Sequence, residues 1–480
     1  MRSGRRTRPR AACRIRLALL AAALLSAASA TARDLGDILV EKGLITPEEL
    51  REAREEEHRG HAADESQLAA LKAKLPAWID MFTPFGDIRL RNEGFYQDDK
   101  TARSRFRARA RIGVTVAASN ELAGTVRLAT GNADDPISTN QTLGDVFSRR
   151  GVNLDWAYLT LTPGETVGLT PGWLTVTAGK FGVGAYRPSE LVWDDDIAPE
   201  GATETVRLVE KRTGFVRRVT LSAFQWIVDE VADGADPWIP GGQLVVETAL
   251  PPWATWTFAL ADFYFDGIDT VARRSLDPYY DPPADTKANP HYNSQLANSN
   301  AVERDASGRI VGYRSGFNVL DVGTALDAAD PFGLGIPAGI FAELAYNTEA
   351  SDRNLGFYLG AGIGRARKDW YRNVLLDPGD WAVSYTCARV EQDAVLSIFS
   401  FSDINEFSSR PAQPDGARPT QKGATNLLVH IVRLDYAPLP HLQLTAKAYV
   451  ENVLDRSVAN VPLTQNRTLL RTQLDAMFRF

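Results

Sequence analysis

The most regular pattern of charged side chains lies in residues 104–116, where an arginine occupies every second position. The four arginines of this segment are Arg105, Arg107, Arg109 and Arg111. The positions between them hold apolar or small side chains, so the extended segment has one charged face and one apolar face. At helical spacing the same arginines would be spread around the whole helix. The pattern therefore predicts a β-strand with a row of guanidinium groups on one side.

Strands with one charged and one apolar face occur in two settings. In a membrane barrel the apolar face meets lipid and the charged face meets the lumen. In a soluble antiparallel sheet the charged face lies in water and the apolar face covers a core. For one isolated strand the soluble sheet is the commoner case, so the choice depends on the rest of the chain.

The first 32 residues have the composition of a signal peptide. Seven arginines and no acidic residue precede an apolar run at 17–25, and small residues suited to cleavage follow at 28–32. Removal of this segment would leave 46 basic residues against 60 acidic residues, a net charge of −14. An acidic protein of this kind is a poor candidate for binding nucleic acid. We therefore predict an exported protein with a signal peptide over 1–32 and no nucleic-acid partner.

Cysteine usage argues against a disulfide framework. Cys13 lies in the predicted signal peptide, so Cys387 would be the one cysteine of the mature chain. A single thiol cannot form an intramolecular disulfide, and the sequence contains no thiolate metal motif. We therefore expect neither a metal nor another cofactor.

Residues 33–77 have a helical pattern. Thr46 is followed by Pro47 and by Glu49, which matches a capping box with proline at the first helical position. The helix that follows is highly charged and lacks a sustained heptad repeat, which favours a solvated spacer over a coiled-coil or assembly segment. We predict a short periplasmic helical segment over 33–77, ahead of a barrel over 84–480.

From residue 86 onward, segments of about ten residues alternate apolar and polar side chains, as tilted membrane strands do. After the signal peptide there is no run of about 18 apolar residues, so a membrane-embedded chain would have to form a closed barrel. We count sixteen segments: 86–96, 103–116, 121–131, 151–162, 172–182, 203–211, 213–227, 241–250, 254–265, 316–327, 337–347, 354–365, 380–391, 425–437, 441–452 and 467–480. The predicted fold is an all-β, antiparallel transmembrane barrel of about 16 strands.

The connections and the C-terminus support an outer-membrane barrel. An even number of strands places both termini in the periplasm. Connections assigned to that side are mostly short, whereas those assigned to the outside include the longest: 131–150, 183–202, 266–315, 392–424 and 453–466. The chain ends on Phe480, an aromatic residue at the end of an alternating segment. We expect Phe480 to serve in barrel assembly, and we expect the barrel to sit in the outer membrane of a Gram-negative bacterium.

Sixteen strands leave room for an aqueous channel, whose selectivity depends on the side chains at its narrowest point. Seven arginines of the first three segments are predicted to share one lumen wall: Arg89, Arg91, Arg105, Arg107, Arg109, Arg111 and Arg127. We call them the arginine ladder. The third outside connection carries four acidic residues: Asp194, Asp195, Asp196 and Glu200. If this loop folds into the lumen, solutes would cross a transverse field; a solvated loop tip or a cation site is the alternative.

The sequence resembles the putative porin family of Gram-negative outer-membrane proteins. The resemblance rests on LGDILVEKGLITPEEL, GDIRLRNE, FRARARIGV, TAGKFGVGAYRPSELVWDDDIAPEGA, GDWAVSYTCARVEQDAV and the terminal strand. It implies a water-filled pore for passive diffusion of small polar or charged solutes, and it implies a homotrimer. The partners expected of such a protein are outer-membrane lipid, lipopolysaccharide and the barrel-assembly machinery.

Three other functions fit the sequence less well or could accompany a pore. An energised transporter would need a larger barrel and a plug domain, and residues 33–77 are too few for one. A barrel lipase would need a serine–histidine pair, but the sequence has no GxSxG motif and few histidines: His58, His61, His291, His430 and His441. A tether between the membrane and peptidoglycan is compatible with the N-terminal helices and could coexist with a pore.

Overall fold

The protein is described by a computed structural model that covers residues 46–48, 77–97, 101–232, 235–250, 253–278, 292–365, 370–372, 374–375, 377–404, 423–455 and 468–480. The predicted signal peptide over 1–32 lies outside these residues. So does the predicted helical segment over 33–77, apart from residues 46–48 and 77; within them Pro47 and Glu48 are helical. Both segments therefore stay predictions.

Sixteen long strands form the body of the molecule. They are β1 (Phe82–Gln97), β2 (Arg103–Ala117), β3 (Leu122–Thr130), β4 (Val152–Leu161), β5 (Leu174–Lys180), β6 (Glu200–Glu210), β7 (Val216–Ile227), β8 (Trp238–Leu250), β9 (Ala254–Tyr264), β10 (Asn318–Ala328), β11 (Ala338–Asn347), β12 (Leu355–Gly364), β13 (Trp381–Val390), β14 (Leu427–Leu439), β15 (Leu442–Val453) and β16 (Leu469–Arg479). Each of the sixteen predicted segments overlaps one of these strands.

The sheet closes on itself. Every strand pairs antiparallel with the next along the chain, and β1 pairs antiparallel with β16, with Ile88 opposite Phe478. Past the end of β16, the backbone of Phe480 exchanges two hydrogen bonds with Gly86, at 2.9 and 3.1 Å. Closure leaves no unpaired edge, as hydrogen bonding in a membrane requires. The predicted sixteen-stranded antiparallel barrel is confirmed.

The remaining elements are short. A two-residue strand, Gln141–Thr142, pairs with β2, and the hairpin Val302–Arg304 with Ile310–Tyr313 lies in the connection between β9 and β10. The same connection contains a helical turn, Ile268–Val271, that continues as a π-helical turn, and a 3₁₀ helix spans Ala77–Met81. Within the described ranges, no helix has the length and apolarity needed to cross a membrane.

The outer face of the barrel is apolar and bears aromatic residues at both ends. Successive strand residues point to opposite sides, so Phe106 is 62 % exposed while Arg109 of the same strand is 5 % exposed. Exposed aromatic residues at the short-connection end are Phe82, Trp256, Tyr436, Phe478 and Phe480. Those at the opposite end are Tyr96, Trp238, Tyr264 and Tyr346. Two aromatic belts around an apolar band are the surface that a transmembrane barrel presents to a bilayer.

Several of the described connections fold into the lumen, and three of them carry most of its inner packing against the arginine ladder and the acidic loop. Residues 181–199, between β5 and β6, and residues 391–404, after β13, enter from the long-connection end. Residues 370–372, between β12 and β13, belong to a connection at the other end and also lie inside. Together with inward wall residues they form one apolar cluster, which includes Leu191, Trp193, Phe263, Leu396 and Phe401. The sequence predicted an open aqueous channel, whereas part of this lumen has a packed core.

Candidate pore constriction

All seven arginines of the arginine ladder lie on the inner face of β1, β2 and β3, and each contacts a polar partner. Their positions follow from strand alternation, because the residues between them face outward. The nearest carboxylates come from the same wall. Arg109 donates to Asp87 from Nε at 2.9 Å and from Nη2 at 2.7 Å, and Arg111 donates to the other oxygen of Asp87 at 2.7 Å. Arg105 pairs with Glu93 on β1.

Arg91 is held between the barrel wall and an inward loop. Its guanidinium donates two hydrogen bonds to Asp475 of β16, at 2.7 and 2.8 Å, and two to Asp403, at 3.0 and 2.8 Å. Arg471 of β16 donates to the same Asp403 at 3.0 Å and to Glu93 at 2.5 Å. The side chains of Arg91 and Arg471 are 1 % and 0 % exposed. This buried network fixes residues 391–404 to the ladder.

Two ladder arginines contact the loop between β3 and β4, and a third sits in a bulge. Arg89 donates to the side-chain oxygen of Asn140 at 2.7 Å, and Arg107 donates to the carbonyl of Asn140 at 3.2 Å. Arg127 pairs with Asp155 at 2.5 Å and stacks 3.1 Å from the ring centroid of Trp156. The pairing of β3 with β4 shifts register at this point. The resulting bulge turns both Asp155 and Trp156 of β4 toward Arg127.

Asp196 connects the acidic loop to the arginine ladder. Its Oδ1 lies 3.2 Å from Nη1 of Arg111 and 3.6 Å from Nη1 of Arg109. Its Oδ2 accepts hydrogen bonds from the backbone and hydroxyl of Thr139, at 3.1 and 3.0 Å. Burial opposes ionisation, but the guanidiniums outweigh it and hold the pKa of Asp196 below its usual value. Asp196 is therefore a charged anchor for the loop.

Asp195 joins the acidic loop to the connection from the opposite end of the barrel. It pairs with Arg187 at 2.5 Å and with Arg372 at 2.8 Å. Arg372 also donates to the backbone carbonyls of Arg187 and Ser189, at 3.2 and 3.1 Å. Burial opposes ionisation here as well, yet the two arginines hold the pKa of Asp195 well below its usual range. These bonds join two inward segments inside the lumen.

Asp194 and Glu190 are the members of the acidic loop whose ionisation is opposed by burial. Asp194 accepts backbone hydrogen bonds from Asp196 and Ser402, both at 2.7 Å, and Glu190 accepts one from Asp195 at 2.8 Å. Burial, together with the negative charge of neighbouring carboxylates, raises the pKa of Asp194 well above its usual value. The same two causes raise the pKa of Glu190 to about 8. These two side chains therefore hold the loop in place through hydrogen bonds to its backbone and to Ser402.

Two predicted site residues lie away from the arginine ladder. Glu200 begins β6, so the third outside connection ends at residue 199 and not at 202. Its carboxylate pairs with Lys180 at the end of β5, at 2.7 Å. Phe480 is 47 % exposed at the short-connection end, where it closes the barrel against β1.

Several residues of this site were not singled out by sequence reasoning. Asp87 and Glu93 share the alternation of the first arginines, so the spacing GDIRLRNE does place them on the same face. Asp403 and Arg372 lie in connections, where no period indicates which way a side chain points. The backbone N–H of Ser189 donates a hydrogen bond of 2.7 Å to the buried carboxylate of Glu343 in β11. No sequence pattern indicates this contact between a loop and a distant strand.

Two of the five histidines lie within the described residues. His430 faces outward from β14, with Nδ1 at 2.7 Å from the hydroxyl of Tyr385, and His441 lies in the turn before β15. The other three histidines of the chain lie outside the described residues. Within the described ranges, no group of three or more His, Cys, Asp or Glu side chains is arranged to hold a metal.

A closed barrel of sixteen strands, with an apolar outer band and charged inward loops, defines the class of outer-membrane porins. A family model described as "Putative porin" matches residues 94–406, about two-thirds of the chain. The chain belongs to this putative porin family, so the resemblance noted from the sequence is confirmed. A comparison with curated proteins gave no match.

Three solved structures that are similar to this chain come from three different bacteria. OprB of Pseudomonas putida is 12 % identical with a TM-score of 0.47, covering 83 % of this chain and 94 % of its own. OmpF of Salmonella typhi, solved with daunomycin, is 10 % identical with a TM-score of 0.45, covering 85 % of this chain and all of its own. DcaP of Acinetobacter baumannii is 9 % identical with a TM-score of 0.40, covering 83 % of this chain and 97 % of its own.

Proposed function

We propose that this porin is a passive channel for small polar or charged solutes, narrowed by residues 181–199 and held in that state by the arginine ladder. The observation that carries the proposal is the position of Asp196, which lies inside the lumen against Arg109 and Arg111. A loop anchored in this way narrows the passage and keeps its width constant. A constant width is what selects solutes by size in passive diffusion.

Charge at the constriction is largely compensated, which limits the field that a solute meets. Asp87 forms ion pairs with two ladder arginines, Arg109 and Arg111. Asp403 forms ion pairs with Arg91 and Arg471. The remaining field acts near Asp196, where the acidic loop faces the arginine ladder. We infer that this field biases which ions enter without excluding either sign, because the guanidiniums of Arg109 and Arg111 are paired with the carboxylates of Asp87 and Asp196.

The partners implied by the family resemblance stay proposals. They are outer-membrane lipid and lipopolysaccharide, the barrel-assembly machinery acting on the C-terminal strand, and two further copies in a homotrimer. A periplasmic location of both termini is proposed on the same basis, since the short connections and the two ends of the chain would lie on one side.

The test is electrical recording in a planar lipid bilayer with a salt gradient. The wild-type protein should give stepwise currents. Arg107→Glu should shift the reversal potential in the direction of greater cation selectivity, because it reverses a charge on the lumen wall. Lys211→Glu, in an exposed turn between β6 and β7, should leave the potential unchanged. Absence of current steps would reject the channel and favour a tethering barrel. Equal reversal potentials for the wild type, Arg107→Glu and Lys211→Glu would reject a role of the arginine ladder in ion selectivity.

A further inference from the structure

A large cavity, which we call the vestibule, lies inside the barrel toward the short connections. Its volume is about 1350 Å³, and it is lined by inward residues of β6, β7 and β8 and by residues of the short connections, including Trp253. Along β7 the lining residues are Arg217, Arg218, Thr220 and Ser222, whereas the outward residues of the same stretch do not line the cavity. The vestibule is therefore part of the lumen.

A bulge in β7 places two consecutive arginines in the vestibule. In the pairing of β7 with β8, Val216 lies opposite Thr248 and Arg218 lies opposite Glu247, so Arg217 is an extra residue with no partner of its own in the register. Both Arg217 and Arg218 line the vestibule. Regular alternation would have placed them on opposite faces of the sheet, so the bulge is what brings the second guanidinium into the lumen.

The three arginines that line this wall of the vestibule differ in their partners. Arg207 of β6 pairs with Glu210, and Arg218 lies 3.4 Å from carboxylate oxygens of both Glu210 and Glu247. Arg217 is half-buried and has neither a hydrogen-bond partner nor an ion-pair partner among the described residues. The three guanidiniums are thus matched by two carboxylates, which leaves the positive charge of Arg217 uncompensated. In the arginine ladder, by contrast, every guanidinium contacts a polar partner.

A half-buried guanidinium with no carboxylate partner attracts anions. It offers N–H donors in a planar fork, which matches the two oxygens of a carboxylate. The protein walls around it keep out part of the water that would screen its charge, and this strengthens the attraction. The rings of Phe215 and Trp253 line the same vestibule and are 58 % and 50 % exposed. They provide an apolar surface for the body of a bound solute.

We propose that the vestibule is a binding subsite for small organic anions, in which Arg217 pairs with a carboxylate while the rings of Phe215 and Trp253 contact the apolar body of the solute. The subsite lies between the inward loop and the short connections, so it is separate from the arginine ladder and from Asp196. This inference rests on the proposed channel function and adds to it a class of solute.

The test is the effect of benzoate, which has one carboxylate and one ring, on single-channel current in potassium chloride. Benzoate should reduce the wild-type current in a saturable way, because the bound anion occupies the lumen. In Arg217→Gln the half-blocking concentration should rise about tenfold, because a charge-assisted hydrogen-bonded pair is lost. Since Arg217 bonds no described residue, this variant should fold as the wild type does. As a second readout, its reversal potential in a potassium benzoate gradient should shift in the direction of greater cation selectivity.

Two controls separate the subsite from a general effect of charge or of an aromatic solute. Arg212→Gln changes an arginine of the exposed turn before β7 that does not line the vestibule, so it should respond to benzoate as the wild type does. Benzamide keeps the ring without the charge and should leave the wild-type current unchanged. A wild-type current that benzoate does not reduce, equal block of wild type and Arg217→Gln, an equal effect of Arg212→Gln, or equal block by benzamide would overturn the subsite while leaving the channel intact. A wild-type protein without current steps would instead overturn the proposed function.

Discussion

At the scale of single residues, Arg91 shows how the lumen wall tolerates buried charge. Its guanidinium is saturated by Asp475 and Asp403, one from the wall and one from a loop. The alternating pattern of the sequence identifies Arg91 and Asp475 as inward-facing residues. It does not identify Asp403, because side-chain direction in a connection follows no period. The inward orientation of the ladder arginines was therefore predictable from the sequence. The loop residues that pair with them were not.

Removal of this guanidinium should destabilise the protein strongly. In Arg91→Met, Asp475 loses its ion-pair partner and Asp403 keeps only Arg471, and breaking a buried pair in this way costs about 3–5 kcal/mol. The free energy of unfolding can be measured with urea in detergent, followed by the gel mobility of unheated samples. The control is Arg150→Met, which removes an exposed ion pair with Asp145 and should cost about 0–1 kcal/mol. Equal losses in both variants would contradict the role assigned to Arg91.

At the scale of elements, the inward loops were only partly visible in the sequence. The acidic run of residues 194–196 suggested a loop that could meet the arginine ladder, and Asp196 lies against it. The connection that carries Arg372 gave no such signal, because its charged residues, Arg365, Arg367, Lys368 and Asp369, follow no period that indicates which way a side chain points. Its aromatic residues Trp370 and Tyr371 become meaningful only once packed. Trp370 donates a hydrogen bond to Asp327 at 2.7 Å, and Tyr371 contacts Phe401.

The docking of the acidic loop should depend on pH through Glu190. Burial and neighbouring carboxylates raise its pKa from the usual 4.5 to about 8, so the docked loop binds this proton more tightly than a released loop does. Docking is therefore strongest below about pH 4.5 and weakens as the pH rises, with the effect complete near pH 8. Asp194 acts in the same direction, whereas Asp195 and Asp196 stay ionised across this range. Current fluctuations should increase between pH 5 and pH 8.

The matched variants for this effect are two isosteric amides. Glu190→Gln keeps the hydrogen bond to the backbone of Asp195 and cannot ionise, so most of the pH dependence of the fluctuations should disappear. Glu165→Gln, in an exposed connection between β4 and β5, should retain it. If Glu190→Gln fluctuates with pH as the wild type does, the docking of the loop is not controlled by this carboxyl group.

At the scale of the whole molecule, Phe480 extends the pairing of β16 with β1 that closes the barrel. Phe480 supplies both a donor and an acceptor to Gly86, and its ring lies beside Phe478 at 5.9 Å. Deletion of Phe480 should reduce the amount of heat-modifiable barrel in the outer membrane. The reasons are that two closing hydrogen bonds are lost and that the terminal aromatic residue proposed to act in assembly is missing. Phe480→Tyr, which keeps both features, should assemble normally. Normal assembly of the deletion would contradict this account.

The sequence predicted the number, pairing type and closure of the strands because lipid outside and polar groups inside impose a period of two on nearly every strand. It failed to predict the packed core of the lumen. The inward residues Phe224, Trp226 and Phe263 are apolar, so β7 and β9 carry apolar side chains on both faces. Because alternation is missing, the strand pattern of residues 213–227 is less regular than that of the other segments. The physical cause is that Trp226 and Phe263 are buried under Trp193 of the inward loop.

The central claim is that a loop anchored by the arginine ladder narrows an open channel, and single-channel conductance of Asp196→Asn tests it most directly. The amide cannot pair with Arg109 and Arg111 as the carboxylate does, so the loop should loosen. The conductance should then rise above that of the wild type, and the selectivity should move toward anions. Asp145→Asn, which changes an exposed carboxylate of the loop between β3 and β4, should match the wild type. A conductance and selectivity of Asp196→Asn equal to those of the wild type would contradict the claim.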